Sequence, residues 1–140
     1  DITLAGERAG AASAIKLMRS VFMKGIASLM IEMLEGAHAY GVADDVVASL
    51  SKSLDGTPFV SHLNRLVTGT GVHAKRRGHE LEGSADLLKD VGVEPTMTLA
   101  AKKVHEMLVP FDFAKKFVDA APTKWEQIVD PLLAAAEKNK

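Results

Sequence analysis

Lys16 has the type and placement for chemistry. It stands in GAASAIKLMRS (10–20), a stretch that reads as the start of a long, mostly apolar helix. At helical spacing Ala12, Met23, Ala27, Met30 and Leu34 fall on its side. An amine so placed has two uses. It can snorkel, laying its stem on apolar surface while the ammonium stays in water. It can instead line a closed cleft near a helix N-terminus and exchange a proton with a substrate. Periodicity leaves both open. Ser13 and Ser20 lie in the polar sector beside it, and Arg19 lies further into the apolar side. Neither serine has the strand-to-helix flanks of a nucleophile elbow, so both read as ordinary helix residues.

A second group is HAKRRGHELE (73–82), which packs Lys75, Arg76, Arg77 and His79 into one or two turns near a helix start. The helix dipole disfavours cations there. A bound anion, such as a carboxylate or phosphate, offsets that penalty. The alternative is a solvated face with Glu80 and Glu82 as local partners. GTGVHA (69–74) matches a dinucleotide fingerprint in letters, but no strand pattern precedes it, so it reads as a turn at a helix start. His73 and His79 lie six residues apart and share no helix face, so no metal site is expected.

These groups need helices to hold them. Helical periodicity covers most of the chain, with no alternating run that would make a strand. It predicts a first helix over 10–40 of roughly 45 Å, stopped by Gly41. Ile15, Met18, Phe22, Ile26, Leu29 and Met33 form its main apolar stripe, and apolar residues occupy more than half its circumference, more surface than the remaining short helices are expected to cover. Further helices are expected over 43–54 and from Pro58 to about Val67, with Thr57 as the N-cap of the latter. Others should cover 71–91 and 96–110, the second capped by Thr96, then 111–120 and 123–138, with Pro131 breaking or kinking the last. The expected fold class is all-α: a single domain over 1–140, a helical bundle around one long N-terminal helix.

Composition narrows the function. The 140 residues suffice for one domain with a core, and 47% hydrophobic with 25% charged residues is usual for a globular protein. A net charge of −1 argues against general attraction to nucleic acid or anionic membrane. The absence of cysteine removes disulfides and thiol chemistry and suits a cytoplasmic location. No signal-peptide pattern opens the sequence. Its most apolar stretch, 17–34, carries Arg19, Lys24 and Glu32, which makes it a poor membrane span.

Residues 10–41 resemble the C-terminal helical domain of the β-hydroxyacid dehydrogenases, the group of 6-phosphogluconate and 3-hydroxyisobutyrate dehydrogenases. The likeness rests on Gly10 with Lys16 six residues later, and on Glu32 and Gly41 at the far end of the same helix. RRGHELEGSADLLKDVGVEP (76–95) resembles the later helix of that group, with its Gly92 stop and following proline. Ala12 stands where a second glycine is usual, Arg19 and Ser20 where an asparagine is usual, and His79-Glu80 where Lys-Asp is usual. GAASAIKLMRSVFMKG and HAKRRGHELE look closest to a divergent branch, the C-terminal domain of phosphogluconate-dehydrogenase-like NAD-binding oxidoreductases. The likeness extends to about Leu108.

That resemblance implies a substrate-binding and dimerisation domain whose Lys16 is the general acid/base. It implies substrate contacts from Ser13, Arg19, Ser20, Arg76 and Arg77, and a cofactor contact from His79. NAD or NADP is expected to sit mainly on a Rossmann domain absent from this chain, so the chain alone is expected to be inactive. A small hydroxy acid or related substrate and a homodimer are the expected partners. A non-enzymatic all-α self-association module is the competing expectation.

Overall fold

The computed structural model describes residues 2–140, with side chains from Glu7 onward. All regular structure among them is helical, as periodicity predicts. Seven α-helices occur: α1 (Ile2–Ala39), α2 (Ala43–Leu54), α3 (Phe59–Val72), α4 (Ala74–Asp90), α5 (Thr96–Leu108), α6 (Phe113–Lys116) and α7 (Glu126–Lys138). A 3₁₀ turn at Val109–Phe111 links α5 to α6. No described helix is long and apolar enough to cross a membrane.

Several boundaries differ from expectation, each for a physical reason. α1 begins at Ile2 rather than Gly10 and is roughly 57 Å long. Lys16 therefore lies well inside α1, about four turns from the start of its own helix. Gly41 ends α1 as predicted: at φ 71° it lets Gly41 N–H reach His38 O and Val42 N–H reach Ala37 O. α3 runs through Gly69 and Gly71 to Val72, so GTGVHA is the last turn of one helix and the joint to the next, not a helix-start turn. Pro58 rather than Thr57 sits at the N-cap of α3. The stretch expected to be helical over 111–120 forms only the single turn of α6, and α7 starts at Glu126. α7 runs through Pro131 without a break, although the proline cannot donate the backbone bond that would go to Gln127 O.

The described core gathers where α3 to α7 meet. Ala74, Leu108, Phe113 and Ile128 are buried there, with Val67, Val72, Phe111, Phe117 and Leu132 packed around them. Gly71 leaves the space that the Ile128 side chain fills, since a Cβ at 71 would lie 2.6 Å from Ile128 Cδ1. α4 and α5 make the most extensive helix pair. The residues that α4 buries are all small (Ala74, Gly78 and Ala85), which allows the close approach.

α1 relates to this core unevenly. Its C-terminal turns bury Glu32, Gly36 and Ala37. Its stripe is otherwise largely uncovered: Ile15 is 65% exposed, Met18 62%, Phe22 46% and Leu29 46%, while Ile26 and Met33 are half-buried. The main apolar stripe of this helix is thus open along most of its length, as expected of a helix with more apolar surface than the short helices can cover. The chain has its core beside α1 and supplies too few elements to cover it.

Candidate functional site

The continuous helix fixes one group of predicted residues. Ser13, Arg19 and Ser20 lie three or four positions from Lys16, so all four share one face of α1. Ser13, Lys16 and Arg19 are exposed and Ser20 is half-buried.

The second group opens α4. Arg76 lies 3.7 Å from Glu80, and His79 lies 4.0 Å from Glu82. The local partners anticipated for the basic run are therefore present, on exposed side chains where such pairs contribute little to stability. Arg77 is half-buried against α3. Gly69 makes room for its guanidinium, whose Nη1 lies 3.1 Å from where a Cβ would stand.

Among the described hollows the smallest, about 120 Å³, is lined by Lys75 and His79 of the basic run, and Lys75 also borders one of about 230 Å³. The smaller hollow joins His79 to a charge cluster the sequence reading missed. Lys102 Nζ lies 2.8 Å from Glu106 Oε1 and 3.2 Å from Glu82 Oε1. Hydrogen bonding to Glu106, then to Glu82, holds the Lys102 ammonium above its ordinary range. The same bond holds the Glu106 carboxyl below its own. The i, i+4 spacing of Lys102 and Glu106 was a readable signal; the reach to Glu82 was not. The Lys16 and Arg76–Arg77 groups line none of these hollows together.

The buried polar chemistry lies elsewhere, at Glu32, which is only 6% exposed. Its carboxylate reaches from α1 to the first turn of α5. Met97 N–H donates to Oε1, and Thr98 N–H and the Thr98 hydroxyl donate to Oε2, each at 2.8 Å. Burial raises the carboxyl's pKa, but the bonds from the Met97 backbone, the Thr98 hydroxyl and the Thr98 and Thr96 backbone outweigh it. The carboxyl is held below its ordinary range. Thr96 is thus the first residue of α5 and not its cap; the cap comes from a residue far away in sequence.

A dinucleotide needs a glycine-lined turn for its pyrophosphate. The glycines of GTGVHA do not form one. Both are helical, and the space beside them is taken by Arg77 and Ile128. GTGVHA therefore offers no cradle for the pyrophosphate of NAD or NADP.

Residues 37–108 match the family described as Domain of unknown function (DUF1932). The match covers just over half of the chain, which belongs to that family. DUF1932 is a C-terminal helical domain family associated with 6-phosphogluconate dehydrogenase-like NAD-binding proteins. The chain is also similar to an "Uncharacterized 28.5 kDa protein in 7S RNA 5'region" of Methanothermus fervidus, with 26% identity over 105 residues. That match covers 75% of this chain and 41% of the relative. The chain thus spans about two fifths of the length of the curated relative it matches. No solved structure matches it.

Proposed function

We propose that this DUF1932 chain is the substrate-binding and dimerisation domain of a longer NAD(P)-dependent dehydrogenase acting on a hydroxy acid or related substrate. The observation that carries the reading is the association of its family with 6-phosphogluconate dehydrogenase-like NAD-binding proteins. The face of α1 described above supports it, since Lys16 has Ser13, Arg19 and Ser20 as immediate neighbours there. In this reading Lys16 is the general acid/base. Its Nζ takes the proton from the substrate hydroxyl during oxidation and returns it during reduction. Arg19, Ser13 and Ser20 bind and orient the substrate. Arg76 and Arg77 face its acid group, and His79 contacts the cofactor. The dinucleotide itself belongs to a Rossmann domain outside this chain. A cytoplasmic location accords with the absence of cysteine.

The test is Lys16→Met in the longer protein. Methionine keeps the stem's packing and removes the proton-transferring amine. We expect kcat to fall at least about a hundredfold with cofactor affinity and Tm unchanged. Turnover within a few-fold of the parent would return Lys16 to the role of a snorkelling surface residue. The 140-residue chain alone should show no saturable micromolar binding of NADH or NADPH by calorimetry.

A second reading, a self-association module, is favoured by the exposed side chains of α1. Ten large apolar residues between Ile15 and Leu34 are at least 40% exposed. Together they present on the order of 1,000 Å², against about 800 Å² per partner in a standard interface. The two readings share the homodimer and differ over turnover. Sedimentation equilibrium at tens of micromolar tests the shared part, and a monomer there removes it.

A further inference from the structure

Every donor at the start of α5 has a partner, and the decisive one is foreign to the helix. Thr96 N–H bonds Glu94 O at 2.9 Å, and Leu99 N–H starts the helical ladder on Pro95 O at 2.9 Å. Met97 and Thr98, which lie between, rely on Glu32 alone. Two turns on, just past the last residue of α1, the Tyr40 hydroxyl donates to Leu87 O at 2.7 Å, one of the open carbonyls at the end of α4. α1 and the residue after it therefore give an anion to the positive end of α5 and a donor to the negative end of α4. Both ends belong to one hairpin, turned by Gly92 at φ 76°.

The carboxylate also divides space. On one side of Glu32 and Thr98 lies an apolar hollow of about 400 Å³ between α1, α2 and α4. On the other side of Glu32, Thr96 and Met97 lies a more polar hollow of about 430 Å³. Glu32 lines both, with Thr98 of the turn it caps on the apolar side and Thr96 and Met97 on the polar side. The titratable groups in those walls are Glu35 and Glu94 on the polar side and Tyr40 on the apolar side; α2, α4 and α5 add only uncharged side chains.

We propose that Glu32 is a charge-dependent latch. While ionised it locks the α4–α5 hairpin on α1 and keeps the two hollows apart; when neutralised it frees the first turn of α5 and lets them merge. The direction of its acidity fits, because a carboxyl held below its ordinary range stays charged through neutral pH and yields only on acidification. Glu35 and Glu94 are like charges on the polar side and supply no counter-ion, so the latch depends on the α5 donors. It rests on this geometry and not on any role of Lys16.

The test is amide hydrogen exchange at Met97 and Thr98 in this chain, read by NMR. Glu32→Gln should lower protection at both by at least about tenfold, with the middle of α4 unchanged. Thr98→Val keeps both backbone bonds and removes the hydroxyl, so it should raise the pH at which acid releases the turn. Protection in Glu32→Gln within threefold of the parent overturns the latch. Should that variant not fold, Thr98→Val decides: an unmoved acid midpoint overturns it equally.

Discussion

The two ends of α1 invert the usual rule of burial. Up to its midpoint Ile15 is 65% and Val21 66% exposed, while further along Glu32 is 6% exposed. Aliphatic side chains lie open and a carboxylate lies buried, in one unbroken helix. The difference is what each segment faces. Residues 32–40 meet the ends of α4 and α5, whose unpaired backbone groups need a charge and a hydroxyl. Residues 7–24 extend past the body of the chain with little to pack on, the edge contact of Phe22 with Phe59 at 5.5 Å being an exception. A helix with apolar residues around most of its circumference is suited to burial, and the described residues leave most of this length uncovered.

The contrast can be broken hardest at Glu32. Glu32→Ala leaves two backbone N–H groups and a hydroxyl without their acceptor in a buried place. We expect a loss of about 2–4 kcal/mol in denaturant unfolding. A loss below about 0.5 kcal/mol is the value of an ordinary surface residue and would erase the contrast. The same site sets a pH dependence. Its carboxyl lies below its ordinary range in the folded chain, so its contribution is complete above the unfolded value and declines as pH falls through the folded one. Glu32→Gln should flatten that acid limb of the stability profile.

Gly36 comes next. A Cβ there would lie 2.5 Å from Leu88 Cδ2, so the leucine must move. Gly36→Val should cost about 1–3 kcal/mol by overpacking. The same change at Gly25, where nothing lies within 4 Å, should cost far less. Tyr40→Phe removes one hydrogen bond to Leu87 O and should cost about 1 kcal/mol by thermal unfolding.

The smallest effect on folding is expected in the exposed segment, and it sharpens the comparison. Met18→Gln should change the unfolding free energy of dilute chain by less than about 0.5 kcal/mol. If these residues meet a second copy, the parent's Tm rises with protein concentration and Met18→Gln flattens that rise. A Tm independent of concentration in both proteins argues that nothing in solution covers this segment.

Much of the architecture is legible in local chemistry. The helical period and absence of alternation specify an all-α chain, and Gly41 and Gly92 stop α1 and α4 because only a residue at ease at positive φ closes those turns. Helical spacing also fixes Ser13, Lys16, Arg19 and Ser20 on one face, since that follows from the rise per turn alone. Local chemistry misleads at the joints. Thr96 has the right side chain for a cap, but Glu32 supplies the acceptor instead. The glycines of GTGVHA suit a turn, yet they admit Arg77 and Ile128 beside a helix.

Tertiary structure alone decided which polar group is buried and which apolar ones are not. Glu32 and Met30 sit two residues apart in a similar local setting, yet the first is 6% and the second 50% exposed. The sequence around them holds no reason for that. The reason is a pair of N–H groups at positions 97 and 98 with no partner in their own helix, which only the folded chain brings within 2.8 Å of a carboxylate.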